Sequence, residues 1–362
     1  MKICLVGGIF DRAEAVRSKH TLTPETVLLD GFQKAGVDVR PIGHARFQPS
    51  DDYDIIHVHH QGKAALKMAA SGSRARFVFT GHNGQIVTGY ERSRIRRSAF
   101  QYVVDKADAF VALSKAEADY LGTVGAGAKV RLIPNGIPAD VFRCATQRNE
   151  TARYNLLYVG QLIEWKGVNF LLEAMQQLRR QRDVHLRLVY HNAHLEADYK
   201  RLADDLGIAD AVDFVGILGP EQLAEEYGKS DLLVLPSFAD CLPSVVTEAL
   251  LCGTPVVAGG VCGVPEQVGP YGEVVPPGDA VALAGAIERV LHDRPRFQAM
   301  ASEMRNYAAN KFNPAAMVRA HLDLYDDLLK SRNGTSRRPA SWLDPLVRLA
   351  IRAYWARGAR VA

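Results

Sequence analysis

Short apolar runs alternate with amphipathic helical stretches along most of this chain. In the first half, strand-like runs occupy residues 3–6, 37–40, 54–59, 76–80, 109–113 and 130–133. A second series occupies residues 156–159, 186–190, 212–215, 232–235, 255–258 and 273–275. Strands that alternate with helices are typical of a parallel sheet covered on both faces. The pattern therefore predicts an α/β protein with two doubly wound, Rossmann-like domains.

A polar stretch without periodicity, residues 143–151, lies between the two series and is predicted to be the interdomain linker. We predict a first domain at 1–145 and a second at 152–309, with a helix at about 310–330 packing back on the first. Ligands of doubly wound sheets bind at the carboxyl ends of the strands. Two such domains facing each other predict an active site in the cleft between them.

Length and composition agree with two separate cores. The 362 residues are 48% hydrophobic and 23% charged, which excludes a largely disordered chain. No stretch approaches the roughly 18 apolar residues of a membrane-spanning helix. The five cysteines are scattered and form no CxxC pair, so neither a disulfide framework nor a zinc knuckle is indicated. We predict a cytoplasmic protein.

Charge is distributed unevenly along the chain. Residues 1–150 hold 21 basic and 15 acidic side chains, residues 151–330 hold 16 and 24, and residues 331–362 hold 7 and 1. The two outer, basic segments are expected to meet an anionic partner, such as a phosphate-bearing substrate or a membrane surface. Nucleic-acid binding is not expected, because the sequence contains no basic module with interleaved aromatic residues.

The densest cluster of unusual residues lies at 235–257. A strand is predicted to end at Pro236, a loop carries Asp240, and a helix begins near Ser244 and contains Glu248. The free backbone amides at the start of this helix, at Ser244 and Val245, are suited to binding a diphosphate. The alternative is structural: Asp240 would cap the helix and Glu248 would be a partly buried acid.

This segment, PSxxDxxxxxxxEAxxxGTPVV, resembles the signature of the family four retaining glycosyltransferases of the GT-B fold. Further matches follow in the family's order, at residues 107–115, 133–142, 160–167, 214–216, 230–237 and 263–266. The resemblance covers residues 1–330. It implies two facing Rossmann-like domains and an enzyme that moves a sugar, with retention, from a nucleoside diphosphate sugar to an acceptor. It also implies that no metal and no other cofactor is required.

Roles in the donor site follow from the resemblance. It implies that Glu248 accepts hydrogen bonds from the donor ribose and that Asp240 binds hydroxyls of the transferred sugar. Lys166 matches the cation that neutralises the diphosphate leaving group, where negative charge builds up as the glycosidic bond breaks. The alternative for Lys166 is an exposed lysine at the start of a helix.

Four further residues belong to the predicted cleft. His82, just after the fourth strand, matches the family's cleft histidine near the donor sugar; the alternative is a structural hydrogen-bonding residue. Gly7 and Gly8 follow the first strand, where backbone amides can approach a phosphate or form a plain tight turn. Gln161 departs from the family pattern, which has an arginine there, so one of two customary diphosphate cations is missing.

Three histidines, His57, His59 and His60, lie in or just after the third strand and raise the question of a metal site. His57 and His59 point to the same face of that strand. No Cys, Asp or Glu at ligand spacing accompanies them, so we favour packing beside the cleft over metal binding.

Two basic segments lie outside the motif. Arg92, Arg94, Arg96 and Arg97 are predicted to open a helix, either as a solvated face or as an anion-facing patch on the acceptor domain. Residues 331–362 form a basic amphipathic tail, with Trp342 and Tyr354 on one arc and arginines opposite. Such helices lie in membrane interfaces; packing on the protein or on a partner is the alternative.

The sequence therefore predicts a retaining glycosyltransferase that uses a nucleotide sugar and a lipid-linked or surface-glycan acceptor. It is expected to work peripherally on an anionic membrane, on the inner face of the plasma membrane. Two alternatives stay open: a nucleotide-sugar epimerase of the same architecture, and a catalytically weakened binding subunit of a glycan-assembly complex, for which Gln161 is the only support. A dehydrogenase is disfavoured, because no GxGxxG follows the first strand.

Overall fold

Two parallel sheets of six strands form the framework of the protein, in a computed structural model that describes residues 1–12, 22–82, 84–143 and 153–331. The strand order is β2-β1-β3-β4-β5-β6 in the first sheet and β12-β11-β10-β7-β8-β9 in the second, with strands numbered along the chain. All pairings are parallel, and helices connect the strands. The prediction of two doubly wound α/β domains is confirmed.

The first domain carries the earlier strands and helices. Its strands are β1 (Lys2–Val6), β2 (Asp38–Ile42), β3 (Ile55–His59), β4 (Arg76–Thr80), β5 (Ala109–Ala112) and β6 (Val130–Leu132). Its helices are α1 (Pro24–Lys34), α2 (Lys63–Ala69), α3 (Gly84–Val87), α4 (Arg94–Lys106) and α5 (Lys115–Thr123).

The second domain follows the same plan. Its strands are β7 (Tyr154–Val159), β8 (Val184–Val189), β9 (Val212–Gly216), β10 (Leu232–Leu235), β11 (Val256–Gly259) and β12 (Gly272–Val275). Its helices are α6 (Val168–Leu178), α7 (Glu196–Asp205), α8 (Pro220–Lys229), α9 (Ser244–Leu251), α10 (Val264–Val268), α11 (Ala280–His292), α12 (Arg294–Ala299) and α13 (Ala301–Lys311), and the final helix is α14 (Pro314–Lys330).

The predicted strands are present, with bounds that differ by one or two residues. Central strands such as β3 and β4 are buried at every position, so their apolar runs mark them clearly. The edge strand β2 is largely exposed and contains Pro41, which an edge strand tolerates. Its polar residues carry a weaker signal, and the strand is displaced from the predicted 37–40 to Asp38–Ile42.

Strand order opens a crevice in each sheet. In the first sheet, β2 lies on one side of β1, and β3 and the strands after it lie on the other side. In the second sheet, β8 and β9 lie on one side of β7, and β10 to β12 lie on the other side. Such switch points, at the carboxyl ends of the strands, are where doubly wound sheets bind ligands. The loops that leave β3 and β4 thus meet those that leave β7 and β10 across the space between the domains.

The final helix, α14, leaves the second domain and packs on the first. Phe32 of α1 contacts the rings of His321 and Tyr325, with ring centroids 6.4 and 5.8 Å apart. The Tyr325 hydroxyl lies 2.6 Å from Nδ1 of His57 in β3. Burial of these rings in a shared core holds the end of α14 against the first sheet.

Two sequence predictions lie outside the described residues. They are the interdomain linker, except for Arg143, and the basic amphipathic tail, except for Ser331. Among the residues that the structure does describe, no helix combines the length and the apolar character needed to cross a membrane.

The crossing into α14 depends on a close backbone approach at Gly136. The Gly136 amide donates to Sδ of Met317 at 3.1 Å, and a Cβ added at Gly136 would lie 2.4 Å from the Pro314 Cα. Neither backbone can yield without moving the start of α14. Only glycine therefore fits at this position.

We expect Gly136→Ala to lower the free energy of unfolding by about 1–3 kcal/mol, because the added methyl group overpacks a rigid backbone contact. Urea titration of the variant and the wild type measures the difference. Gly122→Ala is the matched control: the new Cβ meets nothing within 4 Å on the exposed side of α5. That control should be stabilised by up to about 1 kcal/mol. Equal stability of the two variants would show that the close approach of Gly136 to Pro314 does not exclude a side chain at position 136.

Candidate active site

A cleft of about 1790 Å³ lies between the two domains, at the carboxyl edges of both sheets. It is lined from both sides by loop residues and helix starts. The polar and charged side chains in its wall include, from the first domain, His60, Gln61, His82, Glu91, Arg94, Arg96 and Asn135, and from the second domain, Gln161, Lys166, His191, Asp240 and Ser244. The predicted location of the site, between the domains, therefore holds a large cleft with polar groups on both walls.

The structure brings Lys166 and Asp240 together. Lys166 Nζ donates to both carboxylate oxygens of Asp240 at 2.8 Å, and each side chain is about 15% exposed. The two residues lie in the loops after β7 and β10, the two strands at the switch point. Asp240 is thus the partner of Lys166, and Lys166 is not a solvated surface lysine.

The turn that presents Lys166 is shaped by Gly167. Glu164–Lys166 form a short 3₁₀ turn, and Gly167 then adopts φ = 68° to begin α6. A Cβ at Gly167 would lie 2.4 Å from the Pro236 carbonyl oxygen, in the loop that carries Asp240. The Phe238 amide also donates to the Trp165 carbonyl at 2.9 Å. These backbone contacts fix the two loops side by side.

Helix α9 begins inside the cleft. Ser244 and Val245, its first residues, line the wall, and the N-cap is Pro243, with no side chain capping the helix. The alternative in which Asp240 caps the helix is therefore wrong, because its carboxylate is bound to Lys166. First-turn amides without a capping side chain, at the positive end of the helix dipole, suit an anionic group.

Glu248 lies one turn further along α9 and is buried. Tyr227 Oη donates to Glu248 Oε2 at 2.8 Å. Burial raises the pKa of Glu248, and hydrogen bonds from Tyr227 and Ser244 partly oppose that rise. Glu248 does not line the cleft; Ser244, its hydrogen-bond partner, does. Its role as a ribose ligand stays a prediction.

Gln161 faces the cleft where the family pattern has an arginine. Its Nε2 lies 3.0 Å from Nε2 of His191, in the loop after β8. Among the described cleft residues of the second domain, Lys166 is the only lysine or arginine. Sequence reasoning did not identify His191. The available signal was a histidine directly after a predicted strand.

The structure offers no support for Gly7 and Gly8 as phosphate ligands. The Gly7 amide already donates to the Ile42 carbonyl at 3.1 Å, and Gly8 begins a 3₁₀ turn. Neither glycine lines the cleft. The structure thus favours the tight turn, because the Gly7 donor that a phosphate would need is used by β2.

His82 lines the cleft in a rare backbone conformation, with φ = 48°. Its ring stacks on His60 at a centroid distance of 4.3 Å, and its Nε2 lies 3.2 Å from Nδ1 of His59. Burial lowers the pKa of His82 to about 3. The imidazole is therefore neutral at physiological pH, and it contributes shape and a hydrogen-bonding nitrogen but no charge.

His60 connects this ring stack to a buried acid that sequence reasoning missed. His60 Nε2 lies 2.9 Å from Oε1 of Glu25, which is 3% exposed near the start of α1. Burial alone would raise the pKa of Glu25, but the hydrogen bond and charge of His60 hold that pKa well below its usual range. Glu25 is thus an ionised carboxylate directly behind the wall of the first domain.

Both ring nitrogens of His57 in β3 have protein partners. His57 is fully buried, with Nε2 at 2.7 Å from Thr80 Oγ1 and Nδ1 close to Tyr325 Oη. Within the described ranges, no three His, Cys, Asp or Glu residues are grouped as they would be to hold a metal ion. This arrangement favours packing over a metal site.

The arginine segment differs in one detail from its prediction. Helix α4 begins at Arg94 with Ser93 as its N-cap, so Arg92 precedes the helix. Arg94 and Arg96 line the cleft, and Arg96 forms an ion pair with Glu91 at 2.8 Å. The cationic side chains of the first domain therefore face the same space as Lys166.

The buried histidines predict acid sensitivity. Burial lowers the pKa of His321 to about 4, lowers that of His82 to about 3 and lowers that of His57 as well. Below about pH 6.5 the unfolded chain binds protons that the folded chain excludes, so the free energy of unfolding should fall as pH drops. Each such histidine contributes up to about 1.4 kcal/mol per pH unit.

Urea titrations between about pH 7 and pH 5 measure this slope. We expect His321→Gln to reduce the slope by the equivalent of about one proton, because it removes one group that titrates only in the unfolded chain. An identical slope for His321→Gln and the wild type would contradict a neutral, buried His321.

Family models match both domains. Residues 16–141 match the model described as Glycosyltransferase Family 4, and residues 145–311 match Glycosyl transferases group 1. A D-inositol 3-phosphate glycosyltransferase of Corynebacterium diphtheriae is 31% identical over 76% of this chain and 71% of its own length. A GDP-mannose-dependent alpha-(1-6)-phosphatidylinositol monomannoside mannosyltransferase of Mycolicibacterium smegmatis is 28% identical over 72% and 74%.

Solved structures share the fold. Sucrose-phosphate synthase from Thermosynechococcus elongatus has a TM-score of 0.75 at 22% identity, covering 91% of this chain and 99% of its own. HepE of Anabaena, solved with UDP and glucose, has a TM-score of 0.73 at 19% identity, covering 90% and 100%.

Together with the two sheets and the cleft between them, these similarities define an enzyme of the glycosyltransferase class with the GT-B fold. More narrowly, the chain belongs to glycosyltransferase family 4. The relatives described above are named as glycosyltransferases, which supports neither the epimerase alternative nor the binding-subunit alternative.

Proposed function

We propose that the protein transfers a sugar, with retention, from a nucleoside diphosphate sugar to a phosphate-bearing acceptor that is lipid-linked or part of a growing glycan. The observation that carries this proposal is the contact of Lys166 with Asp240, in the cleft and beside the start of α9. In this proposal Lys166 is the cation for the leaving diphosphate, and the neighbouring Asp240 is the acid for the sugar hydroxyls. Membership of family 4 supports retention, and the HepE complex with UDP supports a nucleotide donor.

In this proposal the diphosphate binds between Lys166 and the first amides of α9. As the glycosidic bond breaks, negative charge grows on the leaving phosphate, and fixed donors there stabilise the transition state. The incoming donor takes over the ammonium group that Asp240 holds in the free enzyme, and Asp240 is then free to accept hydrogen bonds from sugar hydroxyls. The protein supplies this charge stabilisation itself, so the proposal requires no metal.

A neutral His82 suits the sugar side of the cleft. Glycosyl transfer passes through an oxocarbenium-like state with positive charge on the sugar ring. A protonated imidazole at that position would repel this charge, whereas burial keeps His82 neutral. We assign His82 to contact with the donor sugar and Glu248 to the ribose, reached beside Ser244.

Lys166→Ala should lower turnover by about 10²–10³-fold, because it removes the cation that meets the leaving diphosphate. A thermal-shift panel of UDP-, GDP- and ADP-linked hexoses first identifies the donor. Rates of transfer are then compared, and NMR of the product tests retention. Lys200→Ala removes a lysine paired with Glu196 on the exposed face of α7 and is the matched control. An equal rate for both variants would overturn the role of Lys166.

The same panel tests the ribose assignment through Glu248→Gln, which keeps the volume of the buried side chain. We expect the folded variant to lose the donor-induced rise in melting temperature. Tyr227→Phe removes only the structural hydrogen bond to Glu248 and should retain most of that rise. A folded Glu248→Gln variant with a wild-type shift would show that Glu248 is a structural acid.

The acceptor side is proposed to face α4. Arg94 and Arg96 line the cleft opposite Lys166, and cations at that place favour an acceptor that carries phosphate. The names of two relatives, which specify an inositol 3-phosphate and a phosphatidylinositol monomannoside, agree with such an acceptor. An epimerase acts on the nucleotide sugar alone and needs no acceptor, so these arginines and these names do not support epimerisation.

We further propose that the basic tail docks the enzyme on the anionic inner face of the plasma membrane. Its arginines should contribute about 1 kcal/mol each, fading as salt increases, while Trp342 and Trp355 supply a salt-resistant part. A chain ending at Lys330 should therefore lose co-sedimentation with phosphatidylcholine vesicles that contain phosphatidylglycerol.

Charge reversal in the full chain tests whether the arginines of the tail bind the membrane, without removing any residues. Arg348→Glu with Arg352→Glu should weaken vesicle binding, whereas Arg201→Glu, on the exposed face of α7, should not. If the truncated and full chains bind vesicles equally, the tail is not the anchor, and the arginines of α4 become the candidates. If neither chain binds, a water-soluble acceptor is the better interpretation.

A further inference from the structure

Two cysteines that are far apart in sequence meet beside the cleft. Sγ of Cys241, in the loop after β10, lies 3.2 Å from Sγ of Cys262, in the loop after β11. The Gly263 amide also donates to the Cys241 carbonyl at 3.0 Å, which holds the two loops together. Both thiols are free. The strands β10 and β11 are parallel neighbours, so their loops leave the same edge of the sheet.

The cysteine pair lies between the cleft and the contact of the two domains. Cys241 directly follows Asp240 and lines the cleft. Cys262 lies 3.6 Å from the hydroxyl of Ser114, the N-cap of α5 in the first domain. One sulfur therefore adjoins the proposed sugar site, and the other lies at the contact between the domains.

The two thiols differ in reactivity. Cys262 is partly exposed and has φ = 47°, a conformation that side chains rarely adopt and that occurs mostly at functional sites. Hydrogen bonds from Cys241 and Ser114 lower the pKa of Cys262. The contact with Cys262 and burial both raise the pKa of Cys241. Since the thiolate is the nucleophile, Cys262 is suited to attack and Cys241 to resolve.

We propose that Cys241 and Cys262 form a reversible disulfide that regulates the cleft, with a low-molecular-weight disulfide such as oxidised glutathione as the oxidant. The Cys262 thiolate attacks one sulfur of the oxidant and displaces a first glutathione thiolate. Cys241 loses its proton, attacks the Cys262 sulfur and displaces the second. Two protein thiols are oxidised, and one external disulfide is reduced to two thiols.

Closing the bond changes the geometry next to Asp240. A disulfide has an S–S distance of about 2.05 Å, so the two sulfurs, 3.2 Å apart as thiols, must approach each other by side-chain rotation or by movement of their loops. The bond ties the residue after Asp240 to the loop after β11, and it removes the Cys262 thiol that contacts the Ser114 hydroxyl. Oxidation should therefore disturb both the Lys166–Asp240 contact and the interdomain contact, and lower the rate of transfer.

The test treats the full chain with oxidised glutathione and determines its mass and its disulfide-linked peptides. We expect a protein two hydrogen atoms lighter, a single link between Cys241 and Cys262, and reversal by dithiothreitol. In Cys241→Ser, glutathione should remain attached to Cys262, because the resolving thiol is absent. In Cys262→Ser, Cys241 should remain unmodified.

Cys252→Ala is the matched control, since its buried thiol lies near the Ala224 carbonyl on the far end of α9. It should form the link as the wild type does. Five free thiols after treatment, a link between another pair, or a stable glutathione adduct on the wild type would each overturn the proposal.

A second measurement concerns regulation and rests on the proposed function. The oxidised wild type should lose most of its transfer activity and regain it on reduction, whereas Cys262→Ser should be insensitive to the oxidant. A disulfide that forms without changing the rate would overturn the regulatory role. Because the mass measurement needs no substrate, its outcome is independent of whether the proposed donor chemistry is correct.

Discussion

All strands of each sheet run in one direction, and the geometry of the site depends on this constraint. Parallel strands deliver their carboxyl ends to the same edge, and the reversal of strand order opens a crevice at that edge. Residues as distant in sequence as His82, Lys166 and Asp240 thus share one cleft, because each follows a strand that ends there. The loops need only be short and well fixed, as the backbone contacts around Gly167 show.

Each domain pairs one cleft cation with an acid of its own. Lys166 is held by Asp240 in the second domain, and Arg96 by Glu91 in the first. Such pairing keeps two long cationic side chains ordered in a partly exposed space. In the proposed function, a phosphate that binds in this space competes with Asp240 for Lys166 or with Glu91 for Arg96.

Local sequence signals account for the strands, the start of α9 and the Asp240 to Glu248 spacing. Buried central strands are continuously apolar, and the motif is contiguous. What the sequence did not indicate depends on contacts between distant segments: Glu25 beneath His60, Tyr227 on Glu248, and the approach of Cys241 to Cys262. The acceptor of the Gly7 amide was not visible in the sequence for a related reason, because it is the Ile42 carbonyl, 35 residues away along the chain.

The return of α14 to the first domain has a mechanical consequence. The chain passes between the domains twice, once after Arg143 and again at Phe312 to Pro314, where the Ile137 amide donates to the Phe312 carbonyl at 2.9 Å. Two bodies joined at two separate points turn most easily about the line through those points. The described connection, at Phe312 to Pro314, is one of these points: α14 is packed on Phe32 of the first domain, so a change in the angle between the domains has to be absorbed where the chain enters α14.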